Sequence, residues 1–373
     1  MEFRGHITHF DKGKAGLSRF FANALLLGSL LLSGCSPFYI LRAAIEEGKI
    51  LWRREPIERV LEKPDLDPET REKFKLVLAV REYARDTLKL RVGGSYASYS
   101  YVDRPVLSYV LAAAPKTDLS LYTWWFLFVG RVPYKGFFSE ETAKAEAERF
   151  HAQGYDTYIR AAPAFSTLGW FDDPLLTHLL KYDKVTLAEL IFHELLHNTL
   201  FVSGAVDFNE SLANFIGNRA AILFFRDRHG EGSPEHQRAI QAWEEELEFS
   251  AFITQLAGSL KDLYGKDLAE EEKLRLREEI FARSKNEWSR RIANRPTHQY
   301  RGYSKQEVNN ALIAHYLLYL KELALFESLY ELQDKNLARL VELIGESIQN
   351  SGDPFEAVRE ILRSSILHRL QPF

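Results

Sequence analysis

Apolar and polar positions change their spacing twice along the chain. Residues 36–91 are charged and carry apolar positions at helical spacing. The spacing then becomes strand-like, and aromatic side chains alternate with small polar ones. Strands are predicted at residues 96–102, 106–113, 124–132 and 156–162. The third is nearly all apolar and is expected to be buried. A helix from Ser139, stopped by Gly154, is predicted between the last two strands.

Beyond the last predicted strand the pattern is almost wholly helical. Helix starts are predicted at Ser233, Asp267 and Ser304, and Gly352 precedes a last short helix. The order predicts an α+β protein with a small mixed sheet subdomain, a central helix and a mostly helical C-terminal half. Four segments are expected: a leader at 1–34, an N-terminal helical segment at 35–95, a core at 96–230 and a helical subdomain at 231–373.

The central helix carries the pattern His-Glu-Leu-Leu-His at residues 193–197, and a capping box (Thr-Leu-Ala-Glu) at 186–189 is predicted to begin it. His193 and His197 are four residues apart, so both imidazoles project from one side of the helix and can reach one Zn²⁺. Glu194 is rotated by ~100° from His193. It would lie near the metal without binding it, where it can accept a proton from water.

A third protein ligand is needed, and the sequence after the pattern supplies one. Ser203 stands where a third histidine of the metzincin pattern would be, so that class is excluded. Glu210 is the best candidate, in the first turn of a second helix that Asp207 or Asn209 would cap. The predicted cofactor is therefore one zinc ion held by His193, His197 and Glu210.

Zinc in such a site lowers the pKa of bound water towards ~7. Glu194 would then act as general base and return the proton to the leaving amine. Stabilising the oxyanion requires a further donor. Tyr303, His298 and His315 are candidates that the sequence does not distinguish, and the alternative for each is an ordinary structural or surface residue, which the sequence favours.

The N-terminus predicts export. Basic residues within 1–19 precede an apolar run at 20–32, which ends in Leu-Ser-Gly-Cys. This ending looks like a bacterial lipobox, which implies cleavage before Cys35 and a lipid on its thiol. Ser36 then favours the outer membrane, with the protein facing the periplasm. The alternatives are a plain signal peptide or an N-terminal anchor helix.

Composition adds two limits. The formal net charge is −4 and no run of Lys or Arg stands out, so no nucleic-acid partner is expected. Cys35 is the only cysteine, so a metal site elsewhere must use His, Asp, Glu or Tyr.

Distinctive stretches lie at residues 32–35, 112–115, 129–138, 165–174, 191–197, 208–211 and 309–311. Together they resemble a bacterial family of predicted zinc aminopeptidases that are lipoproteins, with a gluzincin-like metal motif. The resemblance implies a zincin-like fold, the same three zinc ligands and a catalytic Glu194.

The resemblance also implies a substrate-binding edge strand that pairs with an extended peptide; the alternative is an ordinary strand. Its residues are Ser166, Thr167, Leu168, Gly169 and Trp170. The Gly-x-Met-Glu-Asn segment that grips the free amine in the best-known gluzincin aminopeptidases is absent, because Met1 is the only methionine. Exopeptidase activity is therefore implied by the resemblance alone.

The sequence thus predicts a lipid-anchored zinc metallopeptidase, an aminopeptidase by resemblance, with a peptide substrate and a membrane contact through Cys35. One alternative is a non-catalytic zinc-binding lipoprotein scaffold, which would not need Glu194. Another is a zinc endopeptidase or an amidase that acts on a different amide.

Overall fold

The computed structural model describes residues 48–104, 106–126, 130–162, 172–348 and 352–370. The predicted leader with Cys35 and the predicted substrate strand at 166–170 lie outside these stretches. Within them the protein is mostly helical with small sheets, so the α+β class is confirmed. In this described part of the chain, no helix is both long and apolar enough to cross a membrane.

Along the chain, helices come between and after the strands. They are α1 (Ile57–Leu61), α2 (Pro68–Asp86), α3 (Glu140–Ala152), α4 (Lys184–His197), α5 (Val206–His229), α6 (Pro234–Tyr264), α7 (Glu270–Arg291), α8 (Asn310–Leu320), α9 (Leu323–Leu332), α10 (Leu337–Ser347) and α11 (Pro354–Leu370). Short 3₁₀ turns lie at Thr177–Lys181 and Gln299–Lys305.

Two helix starts show how capping decides the boundaries. Ser139 caps α3 as predicted, since its hydroxyl accepts a hydrogen bond from the Thr142 amide at 3.3 Å. The start predicted at Ser304 is wrong, because that residue lies in the 3₁₀ turn. The next helix, α8, begins instead after Asn309, whose side chain accepts from the Leu312 amide at 3.0 Å.

The strands are β1 (Glu55–Pro56), β2 (Ser98–Ser100), β3 (Ser108–Pro115), β4 (Trp124–Phe126), β5 (Gly130–Val132), β6 (Lys135–Phe137), β7 (Tyr155–Ala162) and β8 (Leu175–Leu176). They pair in the orders β1-β2-β8, β6-β3-β7 and β4-β5. Because β1 is antiparallel to β2 while β8 is parallel to it, the first of these sheets is mixed, as predicted.

The segment 124–132 is not the single buried strand predicted from its apolar composition. Trp124 to Phe126 pair antiparallel with Gly130 to Val132, so the segment folds back on itself. Trp125 is 49% exposed. An apolar run does not by itself distinguish a buried strand from a hairpin that lines a cavity, which is what β4 and β5 do here.

One face of the sheet β6-β3-β7 packs against α3 in an apolar cluster, and the other face lines a cavity. Both outer strands are antiparallel to β3, and α3 connects them across it. Leu111 and Ile159, paired across β3 and β7, pack with Phe150 of α3. The neighbouring pair, Val110 and Arg160, points the other way and lines the cavity.

The main apolar core joins helices from both ends of the described chain, from Ile57 of α1 to Val358 of α11. Helix α4 lies inside this core. Its Phe192 packs edge-to-face on Tyr83 of α2 and Phe224 of α5, with ring centroids 6.1 and 6.0 Å apart. The helix with the histidines is therefore held on two sides.

Candidate metal centre

Helix α4 begins three residues earlier than the predicted capping box. Asp183 is the N-cap, and its carboxylate accepts hydrogen bonds from the amides of Val185 (2.9 Å) and Thr186 (3.1 Å). The Thr186 hydroxyl donates to the same carboxylate at 2.8 Å, and Thr186 itself lies inside the helix as its third residue. Because Asp183 is the N-cap, Glu189 has no part in capping the helix, and it lines the cavity instead.

The loop between α4 and α5 is closed by an amide side chain. Asn209 Oδ1 accepts from the Val202 amide at 2.9 Å, and Asn209 Nδ2 donates to the Val202 carbonyl at 2.8 Å. Neither Asp207 nor Asn209 caps α5, contrary to prediction; its N-cap is Ala205, which has no side-chain hydrogen bond. Glu210 consequently lies in the second turn of α5, at its fifth residue, rather than in the first turn.

Helices α4 and α5 approach each other closely beside the site. A Cβ built on Gly217 would lie 2.8 Å from the Glu189 carbonyl oxygen and 3.3 Å from the His193 Cβ. No side chain larger than hydrogen fits there unless the helices separate. This contact sets the distance between the helix that carries the histidines and the helix that carries Glu210.

The three predicted ligands converge. The Nε2 atoms of His193 and His197 are 3.3 Å apart, and Glu210 Oε2 lies 3.3 Å from the first and 3.9 Å from the second. Tetrahedral ligands at 2.0–2.1 Å from a zinc ion would be about 3.4 Å apart. The donor set and its spacing therefore fit one metal ion of this size.

The charges of the site favour a cation. Burial opposes a charge on His193, but its hydrogen bond with Glu210 and the charges of Glu194 and Glu210 outweigh burial and raise its pKa to about 9. Burial lowers the pKa of His197 to about 4. Burial alone would raise the pKa of Glu210, yet the hydrogen bond and nearby charges of the histidines lower it. A metal ion would replace the proton that His193 holds.

A cavity of about 710 Å³ opens onto these three residues. Its volume is typical of a small-molecule site, for which about 300–1,000 Å³ is usual. One wall is the outward face of β3 and β7 with the β4–β5 hairpin, and the other is formed by α4, α5, α6 and α8. Glu194 lines the cavity beside the ligands, as the motif predicts.

The three candidate oxyanion donors separate in the structure. His315 lines the cavity; burial and the nearby Arg160 lower its pKa to about 3, so it is neutral. Tyr303 instead shares a hydrogen bond with Ser284 inside the helical core. His298 caps the 3₁₀ turn through the Tyr300 amide at 3.1 Å. Neither Tyr303 nor His298 lines the cavity.

Sequence reasoning missed several polar residues in the cavity wall, among them Glu189, Tyr134, Arg160 and Tyr319. Tyr319 had a detectable signal, since it follows His315 by four residues and shares its helix face. Arg160 had a weaker one, a charged residue among small and aromatic side chains in a strand. Nothing in the local sequence of Tyr134 indicates its position.

Residues 38–352 match the model of a family described as "Putative aminopeptidase". The chain belongs to this family. The match covers every element that contributes to the cavity, so the "Putative aminopeptidase" family and the metal centre concern the same part of the molecule. No curated protein and no solved structure matches the chain.

Proposed function

We propose that the protein is a zinc-dependent metallopeptidase that removes residues from the free N-terminus of peptides. The observation that carries this proposal is the convergence of two imidazoles and one carboxylate on a cavity that Glu194 also lines. Membership of the "Putative aminopeptidase" family supports a peptide substrate.

His193, His197 and Glu210 would hold the ion. Two histidines and one glutamate are the protein ligands of a well-known type of catalytic zinc site. Bound zinc supplies Lewis-acid activation of water and of the scissile carbonyl. The choice of zinc rests on this donor set, in which imidazole nitrogens outnumber oxygens.

Glu194 is assigned the proton transfers. Its carboxylate would take a proton from the attacking water and deliver it to the nitrogen of the leaving amine. The position of Glu194 supports the role, since it adjoins His193 on α4 and lines the cavity without belonging to the triad of His193, His197 and Glu210.

Tyr319 is assigned the stabilisation of the oxyanion. Its ring stacks on that of His193, with centroids 6.4 Å apart. Its hydroxyl accepts a hydrogen bond from Arg160 Nη2 at 3.0 Å, which leaves its own proton available to donate. Burial raises the pKa of Tyr319, so the phenol stays protonated at neutral pH.

Two carboxylates support recognition of a free amine. Glu189 lies one turn before His193 on α4, and its carboxylate makes no hydrogen bond or ion pair within the described chain. Burial raises its pKa to about 7. Glu246 lines the same cavity and accepts hydrogen bonds from the Tyr300 hydroxyl and from Asn214 Nδ2, each at 2.6 Å. A substrate ammonium group would supply the positive charge that these carboxylates lack.

The test uses the full chain, purified in detergent and supplied with zinc. We expect about one zinc per chain and hydrolysis of trialanine but not of N-acetyl-trialanine. Glu194→Gln should retain zinc and lower kcat by roughly 10²–10⁴-fold, the usual range for loss of a general base. Glu271→Gln, the same change on an exposed position of α7, should alter neither quantity.

Two outcomes would contradict the proposal separately. Absence of zinc after reconstitution would refute the metal centre. Equal cleavage of blocked and unblocked trialanine would refute the exopeptidase assignment while leaving the metallopeptidase intact.

We also propose that the protein is exported and anchored to the outer membrane by a lipid on Cys35. The basic, apolar and Leu-Ser-Gly-Cys segments of the N-terminus support this. In cells grown with labelled palmitate, the chain should incorporate label and fractionate with membranes. Cys35→Ser should lose the label, whereas the neighbouring change Ser36→Ala should keep it. Label that persists in Cys35→Ser would refute the lipid site.

A further inference from the structure

Arg160 is a cation in the wall of the metal cavity that forms no ion pair within the described chain. It lies on β7 opposite Val110, on the face of the sheet that lines the cavity. It donates one hydrogen bond to the Tyr319 hydroxyl, and its Nε is buried without a hydrogen-bond partner among the described residues. A guanidinium carries five N–H donors. Arg160 therefore keeps donor capacity that the described chain does not use.

Two other arginines of low exposure in the described chain are paired with carboxylates. Arg277 donates two hydrogen bonds to the Asp156 carboxylate, at 2.7 and 3.1 Å. Arg219 donates from Nε to Glu327 at 2.9 Å. Charges removed from water without a partner are costly to the fold, and pairing of this kind reduces the cost. The contrast indicates that Arg160 is kept for an anion that comes from outside the chain.

Glu210 does not fill this role, although its negative charge acts on Arg160. Its carboxylate is hydrogen bonded to His193 instead. As a metal ligand, Glu210 would compensate the positive charge of the ion and not that of Arg160. The phenols of Tyr134 and Tyr158, which also face Arg160, are kept neutral because burial raises their pKa.

We infer that Arg160 binds the C-terminal carboxylate of the substrate, and that the substrates are therefore short peptides, principally di- and tripeptides. This inference rests on the proposed peptidase function and names its substrate class. A planar guanidinium matches a carboxylate through two parallel N–H donors.

The dimensions of the cavity are consistent with short substrates. Tyr319 links the two groups, since its ring stacks on His193 and its hydroxyl accepts from Arg160. An extended chain advances about 3.3–3.6 Å per residue. An anion held one tyrosine away from the metal ligands is consequently within a few residues of the scissile bond. Glu189 lines the same cavity and would take the amine of the same peptide.

The experiment compares trialanine with its C-terminal amide in the full, zinc-supplied chain. The wild-type protein should favour the free acid by roughly 10- to 100-fold in kcat/KM, a range typical of a lost charged contact. Arg160→Gln should bring this ratio close to one by raising KM for the acid, with little change for the amide. Arg160→Lys should recover part of the preference. Arg290→Gln, an exposed position on α7, should leave the ratio unchanged.

A binding measurement gives a readout that does not depend on turnover. In the Glu194→Gln background, calorimetry should show that trialanine binds at least 10-fold more tightly than its amide. Adding Arg160→Gln should remove the difference. Zinc content and circular dichroism of each variant establish that the metal centre and the fold are retained.

The outcomes distinguish the inference from the function on which it rests. If Arg160→Gln lowers kcat equally for acid and amide at unchanged KM, Arg160 acts through Tyr319 on the transition state and the inference is overturned. Equal binding of acid and amide overturns it as well. If neither peptide is hydrolysed but the acid still binds through Arg160, the carboxylate-binding site at Arg160 is supported, while the peptidase proposal fails and the assignment of short peptides as substrates fails with it.

Discussion

At the scale of single residues, the geometry of the candidate metal centre depends on a side chain outside the three candidate ligands. Asn209 uses both atoms of its amide on the backbone of Val202 and so closes the loop before α5. Glu210 is the next residue, and its position relative to the histidines follows from where that loop ends. Such supporting residues commonly influence metal affinity by roughly 10- to 100-fold.

We expect Asn209→Ala to weaken zinc binding by about 10- to 100-fold, because the loop loses two hydrogen bonds that fix the start of α5. Competition with a chromogenic chelator measures this. Asn294→Ala, an exposed change in the turn after α7, serves as the control and should bind zinc normally. Unchanged zinc affinity in Asn209→Ala would show that the packing of α5 alone positions Glu210.

A site residue can be predicted from the sequence when its partners in the site lie close to it along the chain. The triad could be predicted because helical spacing brings His193 and His197 together and Glu210 follows on the next helix. Arg160 and Tyr319 are 159 residues apart, and their hydrogen bond exists only because β7 and α8 pack together. No local pattern contains that information.

At the scale of secondary-structure elements, the close contact of α4 and α5 at Gly217 is the critical feature. The hydrogen atom of this glycine allows the α5 backbone to approach the Glu189 carbonyl. The general outline of these two helices is predictable from the His-Glu-Leu-Leu-His pattern and from the second helix expected around Glu210. Their separation is not, because it depends on which residue of one helix meets the other.

Gly217→Ala should weaken zinc binding and lower the free energy of unfolding by about 1–3 kcal/mol, the usual cost of overpacking. Gly258→Ala is the matched control, since this glycine lies inside α6 with nothing within 4 Å of a built Cβ. It should stabilise the protein by about 0.5–1 kcal/mol through helix propensity. Urea unfolding measures both values. Equal effects of the two changes would refute the spacing argument.

At the scale of the whole molecule, the site connects layers that are distant in sequence. The sheet wall contributes Arg160, the central helices contribute the triad, and α8 contributes His315 and Tyr319. A second connection lies farther along β7 on the same face of the sheet, where Asp156 accepts from Arg277 of α7 and from the backbone amide of Asn310 in α8. Helices α4 and α5 form one wall of the cavity together with α8, opposite the sheet. Metal bound between α4 and α5 would therefore stabilise the whole fold and not only the loop that joins these two helices.

Removal of zinc by a chelator should lower the melting temperature by about 5 °C. A ligand present at about 100 times its Kd stabilises the folded state by roughly 2.7 kcal/mol, which corresponds to a change in melting temperature of this size. Differential scanning fluorimetry measures the shift. Glu194→Gln should show the same shift, and His197→Ala should show none. A shift of equal size in His197→Ala would mean that the chelator acts at another site.

The placement of the triad on two consecutive helices has a consequence for how such a protein can change over time. The three candidate ligands come from 18 consecutive positions, whereas Arg160 and Tyr319, two of the groups expected to contact the substrate, come from β7 and α8 on either side of that stretch. Changes in peptide preference can therefore accumulate in the flanking elements without altering metal binding. The chain could acquire a new substrate while the proposed hydrolytic chemistry stays constant.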